Sequence, residues 1–245
     1  VPGLPAGCSA QGSVRAAVFP LQGTLLLQQT AAAIRIRNVK PDGSFADYAY
    51  SRSLFGDMAG TMAVDTDSGN VYVTLMSTLA GGNAVLILDA RFGQFSRIVL
   101  TAVAAARPAM DAMATQNIVY VAYPGDGTAK PAVAWLDATG ATGSGLVVLT
   151  AFDTDTTAIS LLRINATTAW IAGVAGPSLG ILQYAFASGN HDKLVAFPNY
   201  SALQALLSLP TAAASPQCPP ILANRGEGTN EVIVVIRPSN EVLSV

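Results

Sequence analysis

The sequence predicts an all-β protein, a β-propeller of about five four-stranded antiparallel blades. Short β-type runs, rich in Val, Ile, Leu, Tyr and Thr, alternate with turn residues along the chain. The pattern repeats at an interval of about 48 residues. A repeat of about 40–50 residues with four strands is typical of propeller blades. Hydrophobic residues are 51% and aromatic residues only 7%, so Ala, Val, Leu and Ile supply the predicted core.

Internal similarity is clearest between residues 61–101 and 112–150. Three pairs of residues are 48 or 49 positions apart: Tyr72 with Tyr120, Asp89 with Asp137, and Leu100 with Leu149. A two-layer sandwich does not need several positions to stay in step, and a β-solenoid uses shorter repeats. The spacing therefore favours a propeller over both alternatives.

The repeat unit resembles the β-propeller repeats of the secreted YVTN, NHL and SBBP type. Ala63-Val64-Asp65, Gly69-Asn70-Val71-Tyr72-Val73-Thr74 and the run from Val85 to Asp89 carry the resemblance. It covers residues 56–153 well and the rest of the chain only as a pattern. The resemblance implies the fold, and it says little of function because propellers have many roles.

We predict a single propeller domain over residues 1–245. Its blades are expected at residues 14–55, 56–104, 105–153, 154–210 and 216–245. A short amphipathic helix is predicted at residues 201–209, inserted at the end of the fourth blade and terminated by Pro210. The last unit shows three runs, so its outer strand is expected from the N-terminal tail, from chain beyond Val245 or from a neighbouring molecule.

The two cysteines, Cys8 and Cys218, are predicted to form a disulfide bond in an oxidising compartment. First and last units are neighbours in a ring of blades, so this bond would lock the closure of the ring. The alternative is two unpaired, buried thiols.

Two N-glycosylation acceptor patterns are present, at Asn165-Ala166-Thr167 and Asn199-Tyr200-Ser201. Asn165 is expected in a hairpin turn, and Asn199 in the loop before the predicted helix. Both positions are expected to be exposed, as a glycan requires.

Charge and hydropathy exclude two classes of partner. Lys40, Lys130 and Lys193 are the only lysines, and no basic stripe that nucleic acid needs is present. No apolar run approaches the ~18 residues of a membrane-spanning helix. Val1 is expected to be a processed start, because residues 1–13 lack the layout of a signal peptide.

No catalytic, cofactor-binding or metal-binding residue is predicted. His191 is the single histidine and is expected in a solvated turn. Asp65-Thr66-Asp67-Ser68-Gly69-Asn70 is similar to part of a calcium loop, but an ordinary β-turn is the favoured interpretation. A cluster of Tyr48, Tyr50, Arg52 and Phe55 is predicted either to bind a sugar or partner or, preferably, to pack on the next blade.

These features favour a secreted, extracellular, non-catalytic glycoprotein module that acts by protein association. Its partners would be its own copies or other extracellular proteins, and it would be the repeating subunit of a fibre or surface layer. The low charge, 11% of residues against a usual ~25%, motivates this expectation. The alternatives are a propeller that binds a sugar or peptide, and, less favoured, a propeller hydrolase or lyase.

Overall fold

Twenty β-strands form five four-stranded antiparallel sheets in a computed structural model of the chain. The structure describes residues 16–19, 23–52, 54–65, 67–89, 93–103, 106–163, 167–175, 178–186, 189, 195–198, 203–207, 221–225, 231–236 and 242–244. Within each sheet, the strands follow one another in chain order. Every regular element in these ranges is a strand, as the all-β prediction requires.

The first three sheets account for twelve strands. The first sheet contains β1 (Ala16–Phe19), β2 (Gly23–Gln29), β3 (Ala33–Val39) and β4 (Phe45–Ser51). The second contains β5 (Asp57–Val64), β6 (Asn70–Ser77), β7 (Gly82–Asp89) and β8 (Gln94–Val99). The third contains β9 (Asp111–Thr115), β10 (Ile118–Tyr123), β11 (Ala132–Asp137) and β12 (Ser144–Val148).

The last two sheets account for the other eight strands. The fourth sheet contains β13 (Thr156–Arg163), β14 (Thr168–Ala175), β15 (Ser178–Ala185) and β16 (Val195–Pro198). The fifth contains β17 (Leu203–Leu207), β18 (Ile221–Arg225), β19 (Glu231–Ile236) and β20 (Val242–Ser244). The first three sheets belong to one compact unit, and the last two belong to a second unit.

In the first unit, the second sheet is buried on both faces. Successive side chains of a strand point to opposite faces. Val71 and Val73 of β6 accordingly pack against Ile34 and Ile36 of the first sheet. Tyr72, between them, joins a separate cluster with residues of the third sheet, including Val119, Val121 and Ala134. This two-sided burial explains the nearly continuous apolar run in β6 and β7.

In the second unit, a close approach of the chain to β14 requires a glycine. A Cβ on Gly173 would lie 2.9 Å from Cε1 of Phe152, which is buried. The backbone of Phe152 is held by Lys130, whose ammonium donates to the carbonyls of Thr150 and Phe152 at 2.8 and 2.9 Å. Packing and hydrogen bonds therefore fix the position of the segment that contains Phe152 and precedes β13.

The repeated residues occupy equivalent places in two blades. Leu100 and Leu149 each follow a fourth strand and are buried. The amide of Leu100 donates to the carbonyl of Asn83 at 2.8 Å, and that of Leu149 donates to the carbonyl of Pro131 at 2.9 Å. The periodic leucine thus closes each sheet beside the start of its third strand.

The helix predicted at residues 201–209 is wrong. The central residues of that segment form β17, which pairs with β18. A segment of this length gains little from helix formation alone, because the first helical turn is costly to form. Pairing with a neighbouring strand satisfies the same backbone groups, so tertiary contacts override the local apolar pattern.

The expectation of an incomplete last blade is also wrong. β17 pairs with β18 as the first strand of the fifth sheet, which therefore has four strands between residues 203 and 244. Residues 232–236 lie within the third strand of this sheet, β19. Second strands begin at Gly23, Asn70, Ile118, Thr168 and Ile221, so their interval stays close to about 50 residues.

Candidate interaction surface

A buried ion pair joins the first and last strands of the second sheet. The carboxylate of Asp57, at the start of β5, is 0% exposed. Arg97 of β8 donates to it twice, from Nε to Oδ2 at 2.9 Å and from Nη2 to Oδ1 at 3.0 Å. This paired geometry matches the planar guanidinium to the two carboxylate oxygens.

Two hydroxyl groups complete the hydrogen bonds of this carboxylate. Tyr50 of β4 donates to Oδ2 at 3.0 Å, and Ser77 of β6 donates to Oδ1. Burial raises the pKa of Asp57, but the hydrogen bonds from Arg97, Ser77 and Tyr50 outweigh burial and leave the pKa below its usual value. Burial and the bond to Asp57 raise the pKa of Tyr50 to about 12. Asp57 is therefore a charged structural anchor with no free lone pair directed at solvent.

The same anchor fixes the connection between β4 and β5. Arg52 donates from Nε to the carbonyl of Asp57 and from Nη1 to the carbonyl of Thr30, the latter at 2.6 Å. Gly56 has a φ of +61°, and a Cβ there would lie 2.9 Å from Cγ of Leu79. A side chain at residue 56 would therefore be strained in conformation and would also collide with its neighbour.

This connection lies against the hairpin between β6 and β7. The amide of Thr78 donates to the carbonyl of Gly56, and the amide of Leu79 donates to the carbonyl of Phe55, both at 3.2 Å. The hydroxyl of Thr78 also donates to the carbonyl of Gly56 at 2.9 Å. Two connecting segments, from different parts of the chain, are thereby held as one piece.

Three apolar side chains project from this piece, and we call Leu54, Phe55 and Leu79 the apolar tip. Their exposed fractions are 79%, 36% and 73%. The guanidinium of Arg97 lies 4.2 Å from the centre of the Phe55 ring, a cation–π arrangement that holds the ring in place. The tip is thus an exposed apolar surface on a rigid base, and such surfaces are typical of interaction sites.

The predicted aromatic cluster divides into two parts. Tyr48 and Tyr50 are half-buried beside the core between the first two sheets, and the Tyr50 ring contacts Phe95 edge-on at 5.9 Å. These tyrosines therefore pack on the next blade, as the preferred interpretation expected. Phe55 alone of the aromatic residues in the cluster belongs to the apolar tip.

Sequence reasoning missed Asp57, Ser77, Arg97 and the two leucines of the tip. One signal was present, since Arg97 is the only charged residue in β8, and Asp57 is the only charged residue in β5. In a chain with few charges, two isolated opposite charges within apolar strands indicate a buried pair.

The calcium-like segment is a turn. The amide of Asp67 donates to Oδ1 of Asp65 at 3.0 Å, and Ser68 donates its hydroxyl to Oδ2 at 2.9 Å. The amide of Asn117, in the β9–β10 hairpin, also donates to Oδ2 at 2.7 Å. Asp65 therefore ties two hairpins together. Within the described ranges, no three His, Cys, Asp or Glu side chains are grouped to hold a metal ion.

The residues predicted to carry covalent modifications lie outside the described part of the chain. They are Cys8 and Cys218 for the disulfide and Asn165 and Asn199 for glycans, and His191 also lies outside it. In sequence, Asn165 falls between β13 and β14, and Asn199 falls between β16 and β17. None of the described residues forms a helix long and apolar enough to cross a membrane.

The successive four-stranded antiparallel sheets define a β-propeller. Solved structures share this fold. Hydrazine synthase of Kuenenia stuttgartiensis is similar with a TM-score of 0.60 at 12% identity, over 96% of this chain and 70% of that one. Prolyl oligopeptidase B from Galerina marginata gives 0.56 at 12% identity, over 91% and 32%. The Dos1 propeller gives 0.52 at 11% identity, over 94% and 73%.

At these identities, the similarity shows the fold alone. The chain spans about a third of the length of the prolyl oligopeptidase. No protein-family model matches the sequence, and no curated protein matches it. The propeller fold is compatible with a protein that binds other proteins or smaller ligands.

Replacing Arg97 with Met tests the anchor. We expect a loss of about 3–5 kcal/mol in the free energy of unfolding, because the Asp57 carboxylate would remain buried without its charged partner. Urea denaturation measures this loss.

Arg37→Met is the matched control. Arg37 also donates two hydrogen bonds to one carboxylate, that of Asp47, each at 2.7 Å. This pair, however, is exposed. Water replaces the lost interaction there, so little change is expected. Equal losses in the two variants would contradict a structural role specific to the buried pair.

Proposed function

We propose that this chain is a non-catalytic module that works by protein association through the apolar tip. The observation that carries the proposal is the exposure of Leu54 and Leu79, 79% and 73%, on a piece of chain held by a buried ion pair. A rigid apolar surface loses little conformational freedom on binding, so more of its burial energy remains as affinity.

Low charge supports self-association. The formal net charge is −2 over 245 residues, and charged residues are 11% of the chain. Mutual repulsion between copies is therefore weak, whereas freely soluble domains usually carry more charge to resist contact. Copies of this chain are accordingly the first partners that we propose for the tip, in a fibre or surface layer.

An extracellular location forms part of the proposal. The resemblance to secreted YVTN, NHL and SBBP-type repeats supports it. Two cysteines separated by most of the chain, Cys8 and Cys218, support an oxidising compartment. The acceptor patterns at Asn165 and Asn199 support glycosylation there.

The variant with Leu54→Ser and Leu79→Ser is expected to self-associate at least about tenfold more weakly than the wild type, because burying a Leu side chain contributes about 1.5–3 kcal/mol. Sedimentation velocity over a range of protein concentrations measures this difference.

Leu26→Ser combined with Phe45→Ser is the matched control. These side chains are also exposed and apolar, but they lie on β2 and β4, outside the tip. The control is expected to associate as the wild type does. A wild-type protein that remains a monomer at high concentration would overturn the proposal.

Mass spectrometry of native material, digested without reduction, is expected to yield one peptide pair joined through Cys8 and Cys218. It is also expected to yield peptides that carry glycan mass at Asn165 and Asn199. Free thiols at both cysteines together with unmodified asparagines would count against a secreted glycoprotein.

A further inference from the structure

The outer edge of β12 is an unprotected strand edge. Among the described strands, β12 pairs only with β11, in a register that places Ala134 opposite Leu146. No other strand in the described ranges pairs with the second edge of β12. Such an edge presents backbone donors and acceptors to any extended chain that approaches it.

The hydrogen bonds at the two ends of β12 show which residues face this free edge. At one end, Leu149 donates its amide to Pro131, and at the other end Gly143 accepts from the amide of Asp137. Residues of an antiparallel strand direct their N–H and C=O groups alternately toward one neighbour and the other. Ser144, Leu146 and Val148 therefore direct these groups away from β11.

At two of these three alternate positions, the side chains are apolar and exposed. Leu146 is 37% exposed and Val148 is 45% exposed. β12 contains no charged residue and no proline, the two common means by which an edge strand avoids pairing. The backbone groups and the side chains of this edge thus favour the same partner, an extended apolar strand.

The corresponding strand of the first sheet is protected. β4 carries Asp47, whose carboxylate pairs with Arg37. The Arg37 guanidinium also lies 4.4 Å from the centre of the Phe45 ring and so lies against the apolar side chain of this edge. Outer strands of this protein therefore differ in their capacity to accept another strand.

We propose that the free edge of β12 pairs in antiparallel fashion with the same edge of a second copy of this chain. A two-fold axis at Leu146 places Leu146 opposite its counterpart and Ser144 opposite Val148 of the second copy. All three residues with free backbone groups then form hydrogen-bonded pairs. The strand is its own complement, because self-pairing brings no like charges together.

This contact goes beyond the association proposed for the apolar tip, since it uses a different surface. Two five-residue strands bury far less than the ~1,200–2,000 Å² of a stable interface. The pair is therefore weak and depends on protein concentration. Combined with a second contact through the tip, it links copies into a chain rather than a closed dimer.

Cysteine variants test the register. In the proposed pair, the Cα atoms of Leu146 and its counterpart lie about 5.5 Å apart, within the range that a disulfide bond spans. Leu146→Cys is expected to form a disulfide-linked dimer on mild oxidation, as seen on a non-reducing gel. Wild-type protein, which retains Cys8 and Cys218, gives the background.

Val148→Cys and Ser144→Cys are the matched controls. Each alone is expected to stay at background, because Val148 and its counterpart are separated by four residues of strand, about 13 Å. A mixture of the two variants is expected to form a linked dimer. Linkage of Leu146→Cys no greater than that of Val148→Cys alone, or absence of linkage in the mixture, would overturn the proposal.

The tip variants separate this inference from the proposed function. We add Leu54→Ser and Leu79→Ser to the Leu146→Cys variant. The resulting protein is expected still to form the disulfide-linked dimer but no longer to form larger oligomers. Association of the wild type without linkage through Leu146→Cys would overturn the β12 contact only. Linkage without any effect of the tip substitutions would overturn the role of the tip only.

Discussion

The buried pair of Asp57 and Arg97 is the interaction on which the candidate surface depends. It joins the first and last strands of one sheet, and Tyr50 brings the preceding sheet into the same set of hydrogen bonds. Arg52 and Gly56 then direct the connection between the two sheets toward the β6–β7 hairpin. Loss of either partner would leave the other charge unpaired at a cost in stability, so the pair favours the observed arrangement of this part of the chain.

The fold was predictable because it is built from a four-stranded unit that repeats along the sequence. Runs of β-forming residues, the turn residues between them and the buried pair Tyr72 and Tyr120 recur because each blade is the same kind of four-stranded sheet. Leu100 and Leu149, which the sequence repeat paired, are both buried and make equivalent backbone hydrogen bonds at the ends of two blades. Because these features recur once per blade, they are visible as a repeat in the sequence. That repeat was sufficient to predict the architecture.

The candidate site was less predictable because its contacts join distant residues. Arg97 and Asp57 are 40 positions apart in sequence, and the residues adjacent to each do not indicate that the two side chains pair. β17 illustrates the same difficulty, since five residues of mixed pattern take the conformation that β18 offers. The exposure of Leu54 and Leu79 likewise follows from the way two connections meet, and hydropathy alone would have placed both side chains in the core.

The titration of the Asp57 carboxyl tests the central claim most directly. Carbon NMR of the carboxyl group, assigned by comparison with Asp57→Asn, follows its ionisation as the pH falls. The account predicts a pKa below the ordinary value of about 3.9, because Arg97, Ser77 and Tyr50 stabilise the charged form. The stabilisation from this pair is then present above about pH 4 and is lost as the pH falls through the folded-state pKa. A pKa at or above the ordinary value would contradict the account, since burial would then outweigh the pairing.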